Sequence, residues 1–345
     1  MKKLPLIIAS GLVASALTSV ASARDYIEVV GSSTVYPFST VVAETFGNKT
    51  KFKTPKIEST GTGGGMKLFC TGTGVGTADI TNASRRMKKS EFDMCQENGV
   101  KDILEIQVGF DGIAIASAKS APQMKLALKD LFLGLAAKVP GEKEGELIDN
   151  PYQTWKDVNP ALPATKIEVI GPPPTSGTRD AFAELALEGG CKAFGFIKDY
   201  KKSDSSLYKQ TCHTVREDGA YVEAGENDNL IVQKLEKNPD ALGVFGFSFL
   251  DQNADKVQGS NIDGVDISFE SIADGSYPVS RPLFFYVKSA HVGQIPGMKE
   301  FLTEFVSEDS FGEEGYLTDK GLIPMPEETR EMFRSNAETL KALSM

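Results

Sequence analysis

Three times along the chain a β-rich run breaks at a turn of small hydroxylated residues, glycine or proline, and resumes with helical periodicity. The first unit is Gly31-Ser32-Ser33-Thr34-Val35-Tyr36-Pro37, after the run Tyr26 to Val30. The second is Ser59-Thr60-Gly61-Thr62-Gly63-Gly64-Gly65-Met66-Lys67-Leu68, and the third is Gly171-Pro172-Pro173-Pro174-Thr175-Ser176-Gly177-Thr178-Arg179-Asp180. Strands alternating with helices in this way specify an α/β protein with largely parallel sheets. The turns also carry chemistry. A helix N-terminus presents unpaired N–H donors and the positive end of the helix dipole, so hydroxyls and glycines placed there suit an oxyanion. Ser33 and Thr34 are expected to cap the first helix, with Pro37 in the first turn where proline is tolerated. One such unit is an ordinary capped helix; three in one chain point to an anion site.

The remaining pattern extends the same alternation. Ile103 to Val108 and Ile113 to Ala116 read as two buried strands flanking Gly109-Phe110-Asp111-Gly112, and Ile167 to Ile170 as another. Val244 to Phe249 and Leu283 to Val287 supply later strands. Helical periodicity is expected from near Pro37 through Phe46, over Asp180 to Leu187, over Pro296 to Ser307, and over Glu327 to Leu343 at the C-terminus. Gly141 to Asn150 reads as a surface loop. There is no internal repeat.

The first residues, Met1-Lys2-Lys3, an apolar stretch from Leu4 to Val20 and then Ala21-Ser22-Ala23, have the form of a secretory signal cleaved after Ala23. Export is consistent with the four cysteines, Cys70, Cys95, Cys191 and Cys212, an even number best read as disulfides pairing Cys70 with Cys95 and Cys191 with Cys212. No CxxC spacing exists, and the two histidines, His213 and His291, lack ligands at metal-motif spacing, so no metal site or cofactor is expected. A formal net charge of −10 argues against a nucleic-acid partner, which requires clustered Lys and Arg against phosphates. It does not exclude a small anion, because surface charge is screened over about 8 to 10 Å in physiological salt while cleft dipoles act at contact range.

Nucleotide and esterase motifs fail on detail. Lys67 follows Met66 and precedes Leu68, which is not a Walker A lysine, and no Gly-x-Gly-x-x-Gly follows the first strand. Around Ser176 the positions that a nucleophile elbow fills with glycine hold Pro174 and Thr178. Binding without turnover is the reading that remains. Two arginines suit a tetrahedral oxyanion through their planar forks: Arg179, directly after the Ser-Gly-Thr turn, and Arg85, in Ala83-Ser84-Arg85-Arg86 and preferred to Arg86 as nearer a strand end.

These motifs, with Asp79-Ile80, Asp111-Gly112-Ile113-Ala114, Gly225-Glu226-Asn227-Asp228-Asn229 and Leu242-Gly243-Val244, closely resemble, in this order, the phosphate-binding proteins of bacterial high-affinity ABC phosphate transporters. The resemblance runs through nearly the whole mature chain. It implies a type II periplasmic binding fold: two α/β lobes joined by two crossing strands, with the ligand in the cleft between them. The divisions expected are a signal peptide at 1–23, a first lobe from 24–108 and 284–345, and a second lobe from 109–283. It further implies a monomer in the periplasm, with inorganic phosphate and a membrane permease as partners. Carried over by position, Thr34 and Val35, Thr62, and Ser176, Gly177 and Thr178 would hold phosphate, with Ser33 beside them at the first helix start.

Two departures matter. Pro172 stands where some members carry the key arginine, so Arg179 takes that role; Arg85 stands where they carry the aspartate that accepts the phosphate proton. Asp111, at the mouth of the first crossover, is the expected replacement acceptor, ahead of Glu223 and Glu226. The competing readings are an exported phosphomonoesterase using the same cradle, and a binder of another tetrahedral oxyanion such as sulfate or arsenate.

Overall fold

The computed structural model describes residues 24–143, 145–225 and 228–345. The expected signal peptide and Glu226 therefore lie outside the described residues. Nine strands form one sheet: β1 (Glu28–Gly31), β2 (Lys56–Ser59), β3 (Ile80–Ala83), β4 (Ile103–Ala118), β5 (Val169–Gly171), β6 (Tyr221–Glu223), β7 (Leu242–Gly246), β8 (Val257–Gly259) and β9 (Ser280–Lys288). Their order is β2-β1-β3-β9-β4-β7-β5-β6, with β8 also on β4. Pairing is parallel among β1, β2 and β3 and among β5, β6 and β7, as expected, but both central strands run antiparallel to their neighbours.

β4 is the strand on which the architecture turns. Its residues 103–112 pair with β9, and its residues 113–118 pair with β7 and β8. The expected break at Gly109-Phe110-Asp111-Gly112 does not occur; one strand of 16 residues runs straight through. The irregularity is absorbed by a bulge, where the register shifts between Leu283 and Phe284 of β9. Gly109 has φ +154°, and a Cβ there would lie 2.6 Å from the Ile323 carbonyl oxygen. That close approach lets Ile323 exchange hydrogen bonds of 2.8 and 3.1 Å with Phe110, tying the C-terminal segment to the crossing strand.

Two α/β lobes result, one on each side of this crossing. One is packed around Val29, Phe46, Ile106, Phe285, Phe301 and Phe305, the other around Ile115, Phe132, Trp155, Val169, Phe182 and Val244. Helix α1 (Tyr36–Lys49) turns Phe38, Val42, Ala43 and Phe46 inward at helical spacing. Helix α2 (Thr62–Phe69) lies so close to β1 and β3 that a Cβ on Gly65 would run into Gly31 Cα and stand 2.6 Å from Thr81 Oγ1. Part of the glycine-rich turn therefore serves packing.

Some element boundaries differ from expectation. The helix expected from Asp180 begins earlier, as α3 (Gly177–Phe182), passes through a π-helical turn at Ala183–Leu187 and ends at Cys191. The run Val244 to Phe249 is strand only as far as Gly246; Phe247–Gln252 is a helix. The expected loop after Gly141 includes a strand, Leu147–Asp149, paired with Lys138–Pro140. Among the described residues, no helix is long and apolar enough to cross a membrane, and no side-chain group could hold a metal ion.

Both expected disulfides are present, Cys70–Cys95 and Cys191–Cys212, closing sequence separations of 25 and 21 residues. Each anchors a helix to its own lobe, and Glu188, beside the second, collects His213 at 2.7 Å and Lys192 at 3.0 Å. Loops of this size stabilise by about 3 kcal/mol each. Replacing Cys191 and Cys212 together by serine is expected to lower stability by about that amount in a denaturant melt. An unchanged midpoint would show that the loop is already ordered without the bond.

Candidate functional site

The two lobes meet over a cleft of about 450 Å³. It is lined by Ser33 and Thr34 before α1, by Asp111 of β4, by Ser176, Gly177 and Thr178 at the start of α3, and by Asp228 at the start of helix α4 (Asp228–Lys237). Ser248 and Lys320 complete its rim. A larger cavity of about 740 Å³ lies around Trp155 and Leu162, but none of the expected ligand residues lines it. The cleft thus gathers six of the ten residues expected from the sequence.

Several of the six are held by contacts that span the lobes. Ser33 Oγ donates to Asp180 Oδ2 at 2.9 Å, tying the turn before α1 to α3. Thr34 Oγ1 accepts a hydrogen bond from Arg281 Nη2. Val35 holds the N-cap position of α1, so neither Ser33 nor Thr34 caps it, contrary to expectation, and no side chain does. Ser176 does cap α3, its Oγ accepting the Thr178 N–H at 3.2 Å. Gly177 sits against the Ser33–Thr34 backbone, where an added Cβ would come within 3.2 Å of the Ser33 carbonyl oxygen.

The other four expected residues do not line the cleft. Val35 is fully buried in the apolar core, so only its backbone is polar there. Thr62 Oγ1 is 3.1 Å from Ser84 Oγ and accepts the Ser84 N–H. Arg85 is occupied by Glu91, in a fork of 2.9 and 2.7 Å. Arg179 lies over the Tyr221 ring, 4.0 Å from its centre, and its Nη1 is buried without a partner. Arg86 pairs with Glu105, and Glu223 is exposed at the end of β6.

Two residues with no place in the expected ligand set belong here. Arg281 is buried on β9 directly opposite Asp111, with Nη1 2.6 Å from Glu184 Oε2 and Nε 3.5 Å from Asp111 Oδ2. No turn motif marks it, since its position follows from strand register alone. Asp228 stands within the Gly225–Asn229 motif and is buried in the cleft wall. Burial pushes its carboxyl up to about 6, against the opposing hydrogen bond from the Gly246 N–H. Burial likewise raises Asp111, with the Arg281 charge opposing and Glu184 adding to the rise.

A carboxyl raised on folding holds its proton more tightly in the native state. Its contribution to stability is present below the unfolded value near 4 and is lost as pH rises through about 6. Asp228→Asn should therefore gain stability over the wild type between pH 4 and pH 7.5, by on the order of 2 to 3 kcal/mol. Parallel thermal melts of the two proteins across that range would contradict the burial of an ionisable carboxyl at this position.

Known proteins resemble the chain along most of its length. A PBP superfamily domain matches residues 17–309. The phosphate-binding protein PstS of Staphylococcus saprophyticus is 30% identical over 305 residues, covering 86% of this chain and 79% of that protein. Protein SphX of Synechococcus elongatus is 29% identical over 350 residues, covering 97% and 90%. The crystal structure of a possible phosphate binding protein from Planctomyces limnophilus superposes with a TM-score of 0.74 at 27% identity, covering 93% of this chain and 100% of the other. Two lobes, crossing strands and helix starts facing one cleft are thus accompanied by similarity along nearly the whole sequence, and the chain belongs to the PBP superfamily, among the PstS-type phosphate-binding proteins.

Proposed function

We propose that this protein is the exported receptor for inorganic phosphate of an ABC uptake transporter, acting as a monomer in the periplasm and handing its ligand to a membrane permease. The observation that carries this reading is the convergence of Ser33-Thr34 and Ser176-Gly177-Thr178, from opposite lobes, on one cleft with Asp111 at its base. The lobes divide near Gly109 and Leu283, a division supported by the apolar clusters on either side.

Each part then has a physical task. The Thr34, Ser176 and Thr178 hydroxyls and the helix-start N–H groups donate to the phosphate oxygens. Asp111 accepts the proton that phosphate retains at neutral pH. Sulfate has no such proton, so its oxygen would face a carboxylate unpaired, which costs a few kcal/mol. Arsenate, nearly isosteric and equally protonated, passes the same test. Thr62, Arg85 and Arg179 stand outside the cleft lining, Thr62 engaged by Ser84, Arg85 by Glu91, and Arg179 stacked on Tyr221 with its Nη1 unpartnered.

A phosphomonoesterase would need Ser176 activated by a base. Ser176 Oγ caps α3, and the histidines are committed elsewhere: His213 to Glu188, and His291, fully buried, to Asp79 and the Thr73 carbonyl. The receptor reading is therefore the better supported.

Calorimetric titration of ligand-stripped protein tests it. Saturating phosphate should stabilise the fold by about 4 kcal/mol at a thousandfold excess over Kd. A melting temperature unmoved by millimolar phosphate would refute it. Asp111→Asn should weaken phosphate and admit sulfate, and Ser176→Ala should reduce affinity more than Arg85→Ala.

A further inference from the structure

We propose that Arg281 is the positioning residue that fixes the hydrogen-bonding pattern of the cleft, making Thr34 a donor and Asp111 an acceptor, and so sets the preference for protonated over unprotonated tetrahedral oxyanions. The inference rests on the phosphate reading above and assigns a task to a residue outside the expected ligand set.

The geometry assigns each end of the guanidinium a different function. Arginine has donors and no acceptor, so the hydrogen bond from Nη2 obliges Thr34 Oγ1 to accept. The Thr34 hydroxyl proton is then free to point at a ligand oxygen. On the other edge, Nε stands 3.5 Å from Asp111 Oδ2, and neither atom makes an aligned hydrogen bond although both are buried. Arg281 therefore lends Asp111 its charge while leaving the Oδ2 lone pairs open to a ligand hydroxyl. Glu184, at 2.6 Å from Nη1, holds the fork in place from the second lobe.

The arginine is only 7% exposed and pairs in register with Asp111 across the two crossing strands, so the arrangement is built into the hinge. The charged groups that face Asp111 are Arg281 from β9 and Glu184 from the π-helical turn, and Asp228 and Lys320 line the same cleft. Removing Arg281 leaves burial and the Glu184 charge in command of Asp111, and both favour its protonated form. A protonated carboxyl donates, and the discrimination against sulfate is lost.

The test is calorimetric titration with phosphate and with sulfate from pH 5.5 to 9, on wild type, Arg281→Gln, Arg281→Lys and Glu184→Gln. In Arg281→Gln the phosphate-over-sulfate ratio at pH 7 should fall about tenfold, the value of one charge-assisted hydrogen bond. The acidic limb of phosphate affinity should move to higher pH, with affinity recovering in alkali. Arg281→Lys should restore much of the wild-type limb. Glu184→Gln, at a half-exposed side chain, should move the limb the other way, toward lower pH, and gives a readout even if Arg281→Gln does not fold.

A folded Arg281→Gln whose pH profile runs parallel to wild type, at equal or uniformly reduced affinity, overturns the proposal. So does a Glu184→Gln profile that stays in place. Wild-type protein that binds no phosphate at any pH would instead remove the receptor reading itself, and this inference with it.

Discussion

The pairing of β4 with β9 is the constraint on which the rest of the structure depends. These are the strands that pass between lobes, and their register sets Arg281 opposite Asp111 at the base of the cleft. Ser33, Thr34, Ser176, Gly177, Thr178 and Asp228 reach the site from helix starts in one lobe or the other. The crossing must therefore be continuous, and it is: backbone hydrogen bonds run along β9 from Lys288 to Ser280 with a single register shift near Gly109. Placing a carboxylate and a guanidinium there desolvates both, which is costly unless each finds a partner. The partners come from both lobes, Thr34 from one and Glu184 from the other. Hinge, charge pair and ligand cradle are consequently one structure.

An acidic protein that captures an anion is less paradoxical once distances are considered. The net charge of −10 resides mostly on surface groups screened by salt, whereas a bound anion would meet hydroxyls, backbone N–H groups and a buried guanidinium at contact range. Two carboxyls nevertheless line the same cleft, both raised by burial. In a site for an unprotonated anion they would be an unrelieved penalty. In a site for phosphate they have a task, because a ligand hydroxyl needs an acceptor.

The sequence was informative where chemistry is local. Strand, small turn and helix follow one another within a dozen residues, so the α/β class and the helix starts at Ser33-Thr34 and Ser176-Gly177-Thr178 could be read from spacing and side-chain type. The disulfides were legible for the same reason, each closing a short loop. Arg85 shows the limit of that reading. Its neighbours mark a strand end, but nothing in them reveals that Glu91, six residues on, takes both prongs of the fork. Nor does a run of glycines disclose which of them is demanded by packing, as Gly65 is by Thr81.

What the chain's order of residues determined, then, is the set of local units and their affinity for negative charge, because propensity, capping and dipoles act within a turn or two of helix. What required the folded molecule is the relation between units distant in sequence. Arg281 reaches Asp111 across 170 positions of chain only because two strands pair antiparallel in one register, as the Arg281–Asp111 ladder position records. Shifting that register by one residue would turn the arginine to the opposite face of the sheet. Long-range pairing of this kind is decided by the burial of both lobes' cores at once, and no local segment of the sequence contains it.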